Sequence, residues 1–332
     1  MPELPEVETI VRELRKMIIG LKITDFWSDR EKPVKQAGGI AKFKKEIVGK
    51  EIVSVDRRAK FIVIDISDDS PRRSLRRSAG KSLFIHQKIS GHLMYGKWTL
   101  VLKGEAGASR RKASSRARSE GGKRSEVPSE FEWLSKLSGP LKNDRQNQYI
   151  RYIWTLSNGY QVAMSDVRRF SRVILVKDKD VSGLKEIRDL GPEPLKISSF
   201  EFKKLFENKR GNLKPVLMDP FFIVGIGNIY SDEILWDSGF HPLSRVEKLK
   251  EKDLSKIYLS TLKILRKAIS LKGDSMDDYR LPSGEKGGYQ NVQKAYQQTD
   301  KKCSKKDGGI IQRIVVGARS AHFCSKHQKL IK

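Results

Sequence analysis

The 332-residue chain is short of acid: 40 Asp and Glu stand against 67 Lys and Arg, a net charge of +27. An excess that large, running from Arg12 to Lys332 rather than confined to one tail, implies a polyanionic partner, because Lys and Arg displace counterions from a phosphate backbone. Cysteine is nearly absent, with only Cys303 and Cys324, which excludes a disulfide framework. No apolar run approaches the roughly 18 residues of a membrane span. The start, MPELPEVETI, has no apolar signal core, so a soluble cytoplasmic protein is expected. No basic amphipathic helix or lipidation signal appears, which favours nucleic acid over membrane as the polyanion. Histidine numbers five, with no H-x-x-x-H pair to suggest a catalytic metal.

What is present falls into two halves. Leu4, Val7, Ile10, Val11, Leu14 and Ile18 recur at helical spacing, with acids early and Arg12, Arg15 and Lys16 late. Strand-like alternation follows over 50–66, 83–86, 93–102, 149–156, 160–164 and 173–176, so the first half reads as one helix and a β-sandwich or flattened barrel. Two tracts interrupt it, 71–81 and 104–130. They are rich in Ser, Arg and Gly, and are expected to be mobile basic surface insertions. LGPEPL reads as a linker within 181–196. Helical spacing then returns at 199–208, 214–218, 228–238 and 254–271, and the tail reads as a hairpin, with strands at 310–316 and 321–324 around a basic tip, Gly317 to Ser320. The expected class is α+β, with domains at 1–180, 197–284 (a helix–two-turn–helix unit) and 285–332 (the end of a lesion-capping loop and a β-hairpin finger).

The chemistry starts at residue two. Removal of Met1 exposes Pro2 as a secondary amine, and an α-amino group has a pKa of about 7.7–8.0, far below lysine, so part of it is neutral and nucleophilic. Glu3 and Glu6 lie beside it as proton carriers. Further on, GIGNIYSDE places two glycines before Asn228 at a helix start, an arrangement suited to holding a phosphate.

MPELPEVE, RRAKF, HQKISG, DVRRFS, LGPEPL, GIGNIYSDE and GARSAHFC stand in the order found in the formamidopyrimidine-DNA glycosylase family (Fpg, or MutM) of the Fpg/Nei superfamily, which the chain resembles over nearly its whole length. MPELPE rather than MPEGPE favours the Fpg branch. The resemblance implies a bifunctional glycosylase and abasic-site lyase that excises oxidised purines from double-stranded damaged DNA. It works as a monomer without a required cofactor, through a Schiff base to the N-terminal proline. Pro2 is then the nucleophile, Glu3 the general acid, Lys60 a lysine assisting at the lesion and Arg319 the hairpin-tip arginine of the catalytic set. Lys214, Asn228 and Tyr230 are implied phosphate-side residues, with His92 and Arg169 also on the DNA face. Ile89, Arg168 and Phe170 would fill the gap left by the flipped nucleotide; Ile89 stands where the family has Met. The loop at 273–289, with Tyr279 and Arg280, is expected to cap the extruded base.

The family closes its finger with four cysteines around zinc. Here those positions hold Cys303, Lys306, Cys324 and His327, with Asp307 or His322 as substitutes for the lysine, and the expectation is a zincless hairpin held by Ile310, Ile314, Val316 and Phe323. Three rival readings stay open: a Nei-like glycosylase for oxidised pyrimidines, a non-catalytic damaged-DNA-binding protein, and, more remotely, RNA binding.

Overall fold

A computed structural model describes residues 2–29, 38–68, 80–102, 131–276 and 279–332; the expected insertions therefore lie outside the described residues, apart from Gly80 and Lys81. The protein is α+β. Helix α1 (Leu4–Ile18) leads into β1 (Ile23–Ser28), α2 (Ile40–Ile47), β2 (Glu51–Arg58), β3 (Phe61–Ser67), β4 (Lys81–His86), β5 (Gly91–Gly96), β6 (Trp98–Leu102), β7 (Phe131–Ser135), β8 (Ile150–Leu156), β9 (Gln161–Asp166) and β10 (Arg172–Lys177). Two antiparallel four-stranded sheets result, ordered β1-β8-β9-β5 and β10-β4-β3-β2, with β6 and β7 paired as a separate ribbon.

Strand alternation explains the sandwich. Ile62, Ile64 and Ile66 of β3 enter the core between the sheets with Val162 and Met164 of β9, while Phe61 and Val63 face outward with Phe84 and Ile174. A register shift between Ile150 and Tyr152 in β8 lets Tyr152, Trp154 and Leu156 turn inward while Ile150 and Ile153 serve a second cluster around Trp98. The apolar run 93–102 is two strands rather than one. A side chain on Gly96 would come within 2.8 Å of the Trp98 ring, and the chain turns there to start β6. Helix α2 has no counterpart in the periodicity reading, which missed it because only Phe43 and Ile47 of its eight residues are buried.

The second half is helical: α3 (Lys185–Arg188), α4 (Ser199–Lys204), α5 (Leu213–Met218), α6 (Asn228–Ser238) and α7 (Glu251–Ser270), then the hairpin β11 (Ile311–Val316) and β12 (Arg319–Cys324). The hairpin turn is only Gly317-Ala318, both at positive φ (56° and 59°), so Arg319 opens β12 rather than sitting in a four-residue tip. Helix α1 joins the two halves. Val7 to Ile18 pack into the sandwich core and Leu4 packs into the helical core with Phe222, Ile226 and Tyr230.

A buried carboxylate fastens the sandwich to the linker. Glu193 of LGPEPL pairs with Arg57 (2.7 Å) and Arg58 (3.4 Å) and accepts the Ala59 N–H (2.7 Å), while Arg58 donates to the Leu190 and Gly191 carbonyls. This holds the β2–β3 turn, with Ala59 in the left-handed region (φ 53°), against the linker. Arg57 keeps a second carboxylate, Glu8, at 3.0 Å, so Glu193→Ala leaves its charge paired but removes the acceptor of the buried Ala59 N–H, and should cost roughly 1–3 kcal/mol. The check is a fall in the urea midpoint at unchanged slope; an unaltered midpoint would show that the pair holds nothing.

Candidate active site at the domain seam

Between the two halves lies a cleft of about 670 Å³ whose wall includes Glu3, Lys60, Ile89, Arg168, Asn228 and Arg319, contributed by both domains and the hairpin. Six of the residues singled out from the sequence thus meet in one place. Pro2, buried, directly precedes Glu3.

Glu3 is fixed by backbone. Its carboxylate lies over the N-terminus of α6 and accepts N–H groups from Gly227 (2.6 Å), Ile229 (2.9 Å) and Tyr230 (3.4 Å). Leu4 N–H donates to the Gly225 carbonyl at 2.9 Å. The glycines are there for this approach. A side chain at Gly227 would stand 2.4 Å from the Glu3 carboxyl carbon, and one at Gly225, whose φ is +88°, 2.6 Å from Leu4 Cβ. They seat the chain's own N-terminal segment, which corrects their reading as a phosphate cradle.

Glu6 sits one layer deeper. It accepts the Glu3 N–H (2.8 Å), the Asp274 N–H (2.8 Å) and the Tyr230 hydroxyl. Burial first, and then the neighbouring Glu3 charge, push its pKa up to about 7. Half-buried Lys60, beside both carboxylates, is pushed down by loss of solvent, partly opposed by their charges. His86, also on the cleft wall, is driven down to about 3 by burial and by Lys88, Lys60 and Arg172, so it is neutral at any physiological pH. Its Nδ1 accepts the Lys88 N–H at 2.9 Å.

The rim residues are presented by one buried acid. Asp166, fully buried, accepts the Ser90 hydroxyl (2.6 Å) and the Ser171 N–H (2.7 Å), and Ser90 Oγ in turn accepts the Arg168 N–H (3.1 Å). HQKISG and DVRRFS are thereby locked as one unit, with Ile89 46% and Phe170 55% exposed and Arg168 exposed as well. Apolar side chains left standing in water on a basic rim have the form of wedges. Arg169, in the left-handed region at φ 58°, turns away toward Asp29 (3.8 Å).

Other expected contacts do not fit their placement. Lys214 is fully buried, paired with Asp232 at 2.5 Å and donating to the Asn228 carbonyl at 3.3 Å, so its ammonium cannot reach a phosphate from outside. Tyr230 is likewise fully buried with its hydroxyl on Glu6. His92, 3% exposed, is inside β5 opposite Ser165. Tyr279, expected over an extruded base, packs into the sandwich core with its hydroxyl on the Glu6 carbonyl, 3.3 Å. The spacing of these residues carries no sign of burial, since each is polar or amphipathic. Sequence reasoning missed Asp232, Glu233 and Tyr296. Asp232 also accepts the His322 N–H (3.0 Å) and meets its ring at 2.8 Å, anchoring β12 and hence Arg319. Glu233 accepts three successive N–H groups, Lys294 to Tyr296, and so places Tyr296 on the cleft wall.

Comparison with known proteins decides the family. The formamidopyrimidine-DNA glycosylase N-terminal domain matches residues 1–173 and the H2TH domain of the same enzymes matches 190–280. The chain belongs to the formamidopyrimidine-DNA glycosylase family. Among its relatives, the formamidopyrimidine-DNA glycosylase of Desulforamulus reducens is 32% identical, with 99% of each chain covered, and that of Pelotomaculum thermopropionicum 30% identical, with 99% of this chain and 100% of the other. The Lactococcus lactis Fpg in complex with abasic-site DNA superposes with TM-score 0.74 at 28% identity, over 98% of this chain and 99% of that one. A complex of the same enzyme with DNA carrying N7-benzyl-Fapy-dG gives 0.73 at 28% identity, covering 99% and 100%. Among the described residues no helix of this Fpg-family chain is long and apolar enough to cross a membrane.

Two outcomes follow from the seam. A methyl group at Gly227 displaces the Glu3 carboxyl, so Gly227→Ala should lose roughly 1–3 kcal/mol; wild-type stability would refute the tight fit. Glu6 binds its proton more tightly folded than unfolded, so its contribution is present below about pH 4.5 and is lost as pH rises through about 7. Glu6→Gln removes that dependence. The Tm difference, variant minus wild type, should therefore climb in the variant's favour across this window, by up to roughly 3 kcal/mol of stability; a flat difference would contradict it.

Proposed function

We propose that this Fpg-family chain is a DNA repair glycosylase with abasic-site lyase activity, acting on oxidised purines in duplex DNA. The single observation that carries the reading is the meeting of Glu3, Lys60, Asn228 and Arg319 in one cleft immediately beyond Pro2, with exposed Ile89 and Arg168 on its wall. A non-catalytic binder would not need a carboxylate held by three backbone N–H groups beside residue two.

In the proposed reaction, Met1 is removed and the Pro2 nitrogen attacks C1′ of the damaged nucleoside. The C1′–base bond breaks, and the base leaves after taking up a proton. Glu3, fixed in orientation by α6, exchanges protons with the sugar ring oxygen as the ring opens. The resulting iminium acidifies the C2′ protons. Loss of one expels the 3′ phosphate, a second elimination expels the 5′ phosphate, and water then releases the sugar fragment and restores the amine. No cofactor takes part. Lys60 contributes positive charge at the sugar and its phosphates, and Arg319 grips the strand from the hairpin. Ile89, Arg168 and Phe170 occupy the space left by the flipped nucleotide, with Arg168 facing the orphaned base. Ile89 is shorter and stiffer than the family's Met, so this filling is less deformable.

Glu3→Gln should lower 8-oxoguanine excision at least about a hundredfold, the usual worth of a positioned proton donor, while cleavage of a preformed abasic site falls far less. Equal losses on both substrates would contradict the assigned role. Run on 8-oxoguanine opposite cytosine and on thymine glycol, the same assay should favour the purine; preference for thymine glycol would make the enzyme Nei-like.

A further inference from the structure

At the base of the hairpin four donor groups converge: Cys303, Asp307, Cys324 and His327, with ligand atoms all within 4.8 Å of one another. The cluster does not use Lys306, where the family has its second cysteine. Lys306 is exposed, at φ 55°, and the turn it makes carries the next residue inward instead. His322 is spoken for by Asp232.

The spacing has the dimensions of a tetrahedral metal site. Bonds of about 2.3 Å to sulfur and about 2.0 Å to nitrogen or oxygen require S···N and S···O edges of about 3.5 Å. Cys303 Sγ lies 3.5 Å from His327 Nδ1, and Cys324 Sγ lies 3.4 Å from Asp307 Oδ2. The Nδ1···Oδ2 edge, 2.8 Å, would open by about half an ångström around an ion. The surrounding groups orient each donor inward. His327 Nε2 lies 2.9 Å from the Trp236 carbonyl, which can only accept, so this nitrogen carries the hydrogen and Nδ1 turns to the cluster. Asp307 Oδ1 accepts the Gly309 N–H at 2.8 Å, leaving Oδ2 to point in. Lys326 N–H donates to Cys324 Sγ at 3.4 Å. Gly309 has to be glycine, because a side chain there would stand 2.3 Å from Cys324 Sγ. Both cysteines are buried beside Trp236, Ala295 and Ile311. The residues fit the metal that the family implies, with a changed ligand set.

We propose that the hairpin holds one zinc ion through Cys303, Asp307, Cys324 and His327, the carboxylate of Asp307 replacing the missing cysteine from one position further along. The expectation of a zincless finger gives way to a site of two thiolates, one carboxylate and one imidazole. The role is structural, since four protein ligands leave no open position. Soft thiolates beside an imidazole and a carboxylate select zinc over calcium or magnesium. This inference does not depend on the proposed reaction.

The test uses the full chain purified from zinc-supplemented cells. Metal analysis should find one zinc per chain, and exchange with cobalt(II) should give the visible absorption of a tetrahedral thiolate site. Asp307→Ala should weaken metal retention against a chromophoric chelator by at least about tenfold, whereas Lys306→Ala should leave it unchanged. Circular dichroism of both variants reports whether each folds. A metal-free wild type with no cobalt spectrum, or equal metal retention by the two variants, overturns the proposal.

Discussion

A carboxylate laid across a helix end holds this molecule in register. Glu3 takes the Gly227, Ile229 and Tyr230 N–H groups at the start of α6, an end that would otherwise leave donors unpaired. The interaction joins residue three to a helix more than two hundred residues later, and it works only because Gly225 and Gly227 let two backbones touch. Everything assigned to chemistry is placed relative to it. Pro2 is the next residue back, Glu6 is one helical turn on, and the cleft opens beside it.

The same device recurs around the cleft. In a chain carrying +27 net charge, the buried acids are not spread through the cores but sit where loops must be fixed. Asp166 joins the HQKISG and DVRRFS loops, Glu193 fastens the β2–β3 turn to the linker, Asp232 binds Lys214 and His322, and Glu233 gathers the backbone before Tyr296. Each buried acid is satisfied by backbone N–H groups or a cation, as burial of charge demands. The positive surface is thus left to meet phosphate, while a negative interior sets its geometry.

Most of the elements were legible in the sequence. Helix α6 was read at its observed bounds, 228–238, although it buries Tyr230 to Trp236 in an unbroken run; β8 and β9 were read within a residue or two, and the span 50–66 covers β2 and β3 without the turn at Ala59-Lys60 that divides them. Helix α2 and the break at Gly96 were not, since two buried residues or one crowded ring leave no period to detect. Among site residues, Ile89, Arg168 and Phe170 on loops and Arg319 at the start of β12 are exposed. Lys214, Tyr230 and His92 are buried instead, because burial of a polar side chain depends on a partner distant in sequence, here Asp232 for the lysine and Glu6 for the tyrosine. Asp307 and His322 were both offered by the sequence in place of Lys306; which of them lies with the two cysteines and His327 was not legible, because it depends on the left-handed turn at Lys306 and on the Asp232–His322 pair.

Two amines lie near the reacting sugar in this account, the terminal nitrogen of Pro2 and the half-buried Lys60, whose ammonium is weakened by loss of solvent. Only one of them can carry the covalent intermediate. Peptide mapping by mass spectrometry of the protein trapped with borohydride on 8-oxoguanine DNA separates them directly. The account requires the reduced sugar adduct on Pro2, in a peptide that has lost Met1. An adduct on Lys60, or trapping by protein that retains Met1, would contradict it.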